Sequence, residues 1–168
     1  MTRETLKIDM RIGIGYDIHR FQEGRPLILG GVTLRGETGL GGHSDADVLL
    51  HAVIDALLGA AGLGDIGQRY PPDDPAYTGA DSRRLLAEVA AAIRESGYLP
   101  ESVDATVIAE RPKLGPHLPR MRQAIGEALG LDAARVNVKA TTNEGIGAVG
   151  RGEGIAAIAV ALLREPKG

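Results

Sequence analysis

The stretch His43-Ser-Asp-Ala-Asp-Val-Leu-Leu-His51 holds two of the four histidines of a 168-residue chain, with two carboxylates and a hydroxyl between them. Ser44, followed three residues later by Asp47, has the form of a capping box and predicts a helix beginning here. The apolar residues Val48, Leu49, Leu50, Ala52, Val53, Ile54, Ala56, Leu57 and Leu58 continue it at helical spacing. Asp47, His51 and Asp55 stand four apart and so share one face of that helix. Burying such a stripe on an otherwise apolar helix is costly unless its groups are paired or bound to something. A metal ion is the first candidate.

The composition narrows what else the chain does. Its length suits one domain with a real core, and 43% hydrophobic with 24% charged residues is the balance of a globular protein. With one Phe, four Tyr and no Trp, the core must be aliphatic and base-stacking platforms are not expected. A net charge of -3 argues against coating a phosphate backbone, so no nucleic acid partner is expected. Without cysteine there are no disulfides, and any zinc site must use His and carboxylate ligands. Met1 to Asp9 is polar and lacks an apolar signal core, and the longest apolar run, Ile155 to Leu163, is too short to span a bilayer. The expectation is a cytoplasmic protein with no membrane partner. Met10 is a second candidate start, with residues 1–9 a disordered lead and 10–168 a single catalytic domain.

Outward from the first helix, Met10 to Tyr16 reads as a strand that delivers Asp17 and His19 to its end. Residues two apart on a strand point the same way, so these two side chains converge. Gly13 and Gly15 are not a dinucleotide fingerprint, because a third glycine is missing and no helix follows at once. Pro26 to Leu34 reads as a second strand, bent or paired back at Gly30-Gly31, and Gly36 to Gly42 as a glycine-rich loop. Gly62 to Pro75 is a long irregular segment, of the kind that is usually functional. Asp81-Ser82 caps a helix running to about Ser96, and Val103 to Ala109 is a strand entering the kinked loop Glu110 to Pro116. A helix over Leu118 to Leu129, a strand over Val136 to Ala140, a glycine-rich loop from Thr141 to Gly154 and a buried strand over Ile155 to Leu163 complete the chain. This order predicts an α+β sandwich, one mixed sheet with helices on one face. The other face must also be buried, and the Ala/Ile/Val-rich last strand suggests a homo-oligomer.

Asp17, His19 and His51 are the candidate metal ligands: three protein donors with an open fourth position describe a catalytic zinc site. Against that, a lone helix histidine is more often a hydrogen-bonded core residue. Asp47 or Asp55 would then orient the His51 ring, or else serve as a helix cap and a surface carboxylate. His43-Ser44, at a helix N-terminus behind glycines, suits a phosphate, although a plain cap explains the pattern as well. Lys113 and Lys139 are nucleotide contacts or solvated charge. Thr141, Thr142 and Glu144 offer oxygens for phosphate and Mg²⁺. Arg151 and Glu153, between glycines, read as a turn ion pair of little energetic weight.

Taken together, Gly15-Tyr-Asp-Ile-His19, the stretch from His43 through Asp55, Gly64-Asp65-Ile-Gly67, Tyr70 to Pro75, Gly79 to Ser82, Arg111 to His117, Asn137 to Thr142 and Gly150 to Gly154 resemble the 2-C-methyl-D-erythritol 2,4-cyclodiphosphate synthase family. The likeness runs over about residues 10 to 164. It implies a homotrimer with active sites between subunits, and a zinc ion on Asp17, His19 and His51. His43 and Ser44 would hold the phosphates, with His43 and Thr142 stabilising the transition state. Asp65, Ile66 and Gly67, with Tyr70 to Asp74, would line the methylerythritol pocket. From the neighbouring subunit, Ala109 to Gly115 (including Pro112, Lys113 and Leu114) and Ala140, Thr141 and Thr142 would hold the cytidine diphosphate. Glu144 matches a ligand to Mg²⁺ or Mn²⁺, and Arg151 a residue near the trimer axis. The implied substrate is 4-diphosphocytidyl-2-C-methyl-D-erythritol 2-phosphate, whose 2-phosphate attacks the β-phosphorus and expels CMP.

The chain departs from the family's usual pattern in places. Ala46 replaces a glycine, a change expected to be harmless in a helical residue. Pro72-Asp73 replaces Asp-Thr, Asn143 a frequent threonine, and Ala148 a frequent aromatic. A zinc phosphohydrolase and a nucleotide-binding trimer with structural zinc are the competing readings.

Overall fold

The computed structural model describes residues 9–166, so residues 1–8 of the expected lead lie outside it. Asp9 itself is engaged: its backbone carbonyl accepts from Glu165 N at 3.1 Å. Among the described residues five strands form one sheet: β1 (Met10–Leu29), β2 (Val32–Leu40), β3 (Leu99–Ile108), β4 (Val136–Thr141) and β5 (Gly154–Arg164), in the order β2-β1-β5-β3-β4. Only β3 and β4 run parallel. The helices α1 (Val48–Ala61), α3 (Ser82–Glu95) and α4 (Leu118–Leu129) pack on one face, with the one-turn helices α2 (Ile66–Arg69) and α5 (Gly147–Gly150) in the connections. The mixed sheet and one-sided helix layer are those expected of an α+β sandwich.

The first strand, 20 residues long, is nearly three times the length that the residue pattern suggested. It does not stop at Tyr16 but runs through Asp17 and His19 to Leu29, pairing with β5 up to Arg20 and with β2 from Phe21 onward. The metal-ligand candidates therefore lie where β1 changes partner, rather than at a strand end. Pro26 to Leu34 is paired back at Gly30-Gly31 rather than bent: it forms a hairpin, closed by these glycines at φ 58° and 72°. Those values are the geometry of a two-residue turn that suits the sheet twist. Gly36 to Gly39 belongs to β2 and not to a loop.

Helix α1 is buried almost all round, between β1 and β5 on one side and α3 on the other. Its close approach is made by Gly13 and Gly15, where an added Cβ would lie 2.0 Å from the Ala56 carbonyl and 1.9 Å from that of Ala52. These glycines serve packing. The helix begins at Asp47 and not at Ser44: the buried Asp47 carboxylate accepts from Leu50 N at 3.0 Å. It also accepts from Gly30 N at 2.9 Å and Gly31 N at 2.7 Å, tying the helix cap to the β1–β2 turn. Burial pushes this carboxyl up to about 6, against the three amides that favour its charge. Ala46, expected to be helical, sits at φ 57° in the left-handed region. On the sheet face away from the helices, Ile12, Ile14, Tyr16 and Ile18 of β1 are exposed, beside Ile158 and Val160 of β5.

Candidate functional site

Asp17 and His19 reach out from β1 on the side facing α1, and His51 meets them from the first turn of that helix. Asp17 Oδ2 lies 2.8 Å from His19 Nε2 and 2.9 Å from His51 Nδ1, and the two nitrogens are 3.2 Å apart. Around a tetrahedral zinc with bonds of about 2.0 Å, ligand atoms stand roughly 3.3 Å apart. The observed triangle is close to that size.

The remaining ring nitrogens show why the donor set fits a cation. His19 Nδ1 lies 2.6 Å from the Gly41 carbonyl, so it carries the proton and leaves Nε2 as a lone pair. His51 Nε2 donates toward Ser82 Oγ at 3.1 Å and Ser44 Oγ at 3.0 Å. Ser82 Oγ in turn donates to Asp45 at 2.5 Å, which fixes the direction of the chain from His51 through Ser82 to Asp45. Two nitrogen lone pairs and a carboxylate then face one another and call for a positive charge. Electrostatics agree. Burial raises the Asp17 carboxyl, but hydrogen bonds and charge from His19 and His51 outweigh it and hold it well below the usual range. His19 is raised: burial lowers it, and Asp17 more than reverses that.

Orientation of His51 thus falls to Ser82 and Asp45 and not to the two carboxylates expected for it. Asp47 is the helix cap, and Asp55 accepts from Ile66 N at 2.7 Å, with its own pKa raised by burial. Ser82 stands next to the true cap of α3, Asp81, and its bond to Asp45 crosses 37 residues, so no local pattern announced it. Arg25 was also missed. Its guanidinium donates to the carbonyls of Gly42 and Ser44, both at 2.5 Å, and so clasps the backbone on either side of His43.

A cavity of about 230 Å³ adjoins the cluster, lined by Asp17, His19, His43, Ser44, His51, Ile66, Gly67, Tyr70 and Pro72, together with Tyr77 and Leu85, which were not expected. His43 Nε2 is held 2.9 Å from the Asp74 carbonyl. Asp74 thus contributes its backbone, while its carboxylate caps the following turn through Ala76 N. Asp65 caps α2 and turns to Gln68 rather than into the cavity.

The other expected site residues are not among the lining of this cavity. Ala109 to Gly115, with Pro112, Lys113 and Leu114, follow β3. Ala140, Thr141, Thr142 and Glu144 lie at the end of β4 and beyond it, at the adjacent edge of the parallel pair, where Ala109 N donates to Thr141 O at 2.9 Å. Glu144 is left-handed at φ 51°. A larger cleft of about 580 Å³ lies beside His19, lined by Arg20, Phe21, Ala148 and Glu153 among others, while Arg151 pairs with Glu153 at 2.7 Å. No helix among the described residues is long and apolar enough to cross a membrane.

Comparison with known proteins agrees with this geometry. The pattern of the YgbB family matches residues 10–164. A 2-C-methyl-D-erythritol 2,4-cyclodiphosphate synthase from Symbiobacterium thermophilum is 61% identical over 154 residues, 92% of this chain and 98% of that one. The synthase of Bordetella petrii is 59% identical over 158 residues, 94% and 98% of the two chains. Among solved structures, the bifunctional IspDF of Campylobacter jejuni superposes with a TM-score of 0.92 at 43% identity, over 96% of this chain and 44% of that longer one. IspF of Plasmodium falciparum, in a CDP complex, gives a TM-score of 0.81 at 33% identity over 95% and 97%.

Proposed function

The chain belongs to the YgbB family, and from that membership we propose how its residues serve the family's cyclising reaction. The activity is that of a 2-C-methyl-D-erythritol 2,4-cyclodiphosphate synthase, a lyase of non-mevalonate isoprenoid biosynthesis. In the substrate, 4-diphosphocytidyl-2-C-methyl-D-erythritol 2-phosphate, an oxygen of the 2-phosphate bonds to the β-phosphorus. The bond from that phosphorus to CMP breaks, and CMP leaves with the electron pair. The nucleophile belongs to the substrate, so the protein's work is to bend it and to balance crowded phosphate charge.

The observation that carries this reading is the convergence of Asp17, His19 and His51 in the wall of a cavity that also holds His43 and Ser44. Asp17, His19 and His51 would hold zinc, which when bound would supply Lewis-acid charge toward the phosphates. His43 and Ser44 take the phosphates at the cavity mouth, and Ile66, Gly67 and Tyr70 enclose the apolar side of the methylerythritol. Residues 10–168 act as one catalytic domain in the cytoplasm.

The site is completed by a neighbouring copy in a homotrimer. Two features support this. Ile12, Ile14, Tyr16 and Ile18 present an apolar strip that a lone chain leaves in water. The loops suited to cytidine diphosphate, Ala109 to Gly115 and Ala140 to Thr142, do not line the cavity of their own chain. Thr142 would then meet His43 across the boundary, Glu144 would hold Mg²⁺ or Mn²⁺ to offset the charge of the diphosphate, and Arg151 would face the axis. Phosphorus NMR of the purified enzyme with this substrate tests the reaction. Cyclic diphosphate with stoichiometric CMP is the expected result, and a linear product or inorganic phosphate would point to a hydrolase.

A further inference from the structure

The loop after β4 holds a non-glycine residue, Glu144, at φ 51°. That conformation is unfavourable for an L-residue and persists only where its surroundings impose it. Within the loop, Thr142 Oγ1 accepts from Glu144 N at 3.2 Å and Ile146 N donates to Asn143 O at 2.8 Å. The strongest tie comes from outside. Glu110, in the loop after β3, accepts from Asn143 N at 2.8 Å and from Gly145 N at 3.4 Å through the same carboxylate oxygen.

Those two amides flank Glu144 on either side. Amides gathered around a left-handed residue form a small concave site for an anion. Glu110 fills it from within the protein, so a phosphate oxygen cannot settle there in place of the metal ligand's own setting. Glu110 is also next to Ala109, whose N–H extends the β3–β4 pairing to Thr141 O. One side chain therefore joins the loop assigned to cytidine with the loop that carries Glu144.

We propose that Glu110 is a positioning residue for this reaction, bracing the Asn143–Gly145 turn so that Glu144 is set for the divalent cation before the diphosphate arrives. This rests on the reading of Glu144 as a cation ligand. The test uses the full chain and the variants Glu110→Ala, Glu110→Gln and Glu110→Asp, with Mn²⁺ binding followed by electron paramagnetic resonance in the presence of CDP. Loss of a group that orients a metal ligand typically weakens binding about 10- to 100-fold. Glu110→Ala should weaken Mn²⁺ by at least about tenfold, and its lost rate should return as Mg²⁺ or Mn²⁺ is raised. Zinc content should stay at the parent level. Glu110→Gln keeps an acceptor oxygen and should recover most of the Mn²⁺ affinity, whereas the shorter Glu110→Asp should behave like Ala. Because Asp keeps the charge, it decides the question if Ala does not fold.

Parent-level Mn²⁺ affinity in both Ala and Asp variants would overturn the proposal while leaving Glu144 as the ligand. A parent enzyme that binds no Mn²⁺ beside CDP would overturn the reading of Glu144 and this proposal with it. A rate loss that no cation concentration recovers would also count against it, since that is the mark of general damage to the loop.

Discussion

Replacing Gly15 by alanine tests whether the proposed zinc site is set by the contact between β1 and α1. The added Cβ would lie 1.9 Å from the Ala52 carbonyl oxygen and 2.7 Å from Ala56 N, all of it backbone with no flexible end to swing aside. Reaching even the shortest tolerable contact moves the helix away from the strand by on the order of 1 Å. Overpacking of this kind costs typically 1–3 kcal/mol. Its local effect is larger than its global one, because Ala52 follows His51 and Gly15 lies two residues before Asp17. The Asp17–His51 distance of 2.9 Å would stretch toward ~4 Å, more than zinc bonds of about 2.0 Å can span in tetrahedral geometry. Zinc affinity, measured by competition with a chromophoric chelator, should fall by at least ~100-fold, with loss of activity. Gly13→Ala is the control. Its Cβ would meet the Ala56 carbonyl at 2.0 Å and Ala60 N at 2.5 Å, an equal insult one turn further from His51. It should lower the melting temperature similarly and keep most of its zinc. If Gly15→Ala binds zinc as the parent does, or the two variants lose it equally, the reasoning fails.

Three further outcomes are expected. Asp45→Ala removes the acceptor that orients Ser82 behind His51 and should cost about 10- to 100-fold in zinc affinity, as should Ser82→Ala; unchanged affinity in both would show that Ser44 suffices. Ile14→Asp places a charge in the apolar strip, where Ile14 is 67% exposed, and should convert the proposed trimer to monomers by light scattering, with loss of activity; an intact trimer would place the interface elsewhere. Asp47, with a native pKa of about 6 above its ordinary 3.8, keeps its proton where the unfolded chain has lost it. Its contribution to stability is complete below about pH 4 and lost as pH rises through 6, by roughly 3 kcal/mol. Denaturant titrations should show the parent losing that margin relative to Asp47→Asn between pH 4 and 7, and a flat or rising difference would mean that the three amides outweigh burial.

What could be read in advance was what local spacing encodes. Asp17 and His19 two apart on a strand, and His51 on an apolar helix, announce a convergence because strand and helix periods fix where side chains point. The helices over 82–95 and 118–129 follow from cap and stop residues in the same way. Contacts that cross the chain leave no such trace. Ser82 looks like part of a helix cap until the fold sets it against His51 and Asp45, and Arg25 looks like surface charge until the hairpin brings it under Gly42 and Ser44. The length of β1 was hidden for a related reason. Its middle holds Gln22, Glu23 and Gly24, poor strand formers, and the register with β2 shifts between Gln22 and Pro26. The pairing of that segment is a tertiary fact.

Ala46 shows how local reasoning fails when two small terms oppose each other. A family position that prefers glycine suggests either a helix, where alanine is better, or a left-handed residue, where it is worse. Ala46 is left-handed at φ 57°, which costs about 1–2 kcal/mol. Yet it is also fully buried, among the core residues that open α1. Burying the methyl returns about 0.8 kcal/mol, and avoiding glycine's extra chain entropy returns a further ~0.5–1 kcal/mol. The sum is close to zero, so alanine stands here with little effect on stability, though not for the reason its spacing suggested. The strain falls between Asp45 and Asp47, one carboxylate braced against Ser82 and the other against the β1–β2 turn. That single left-handed residue reverses the chain sharply enough for adjacent acids to serve opposite ends of the site: Asp45 aims His51, and Asp47 fastens the helix that carries it.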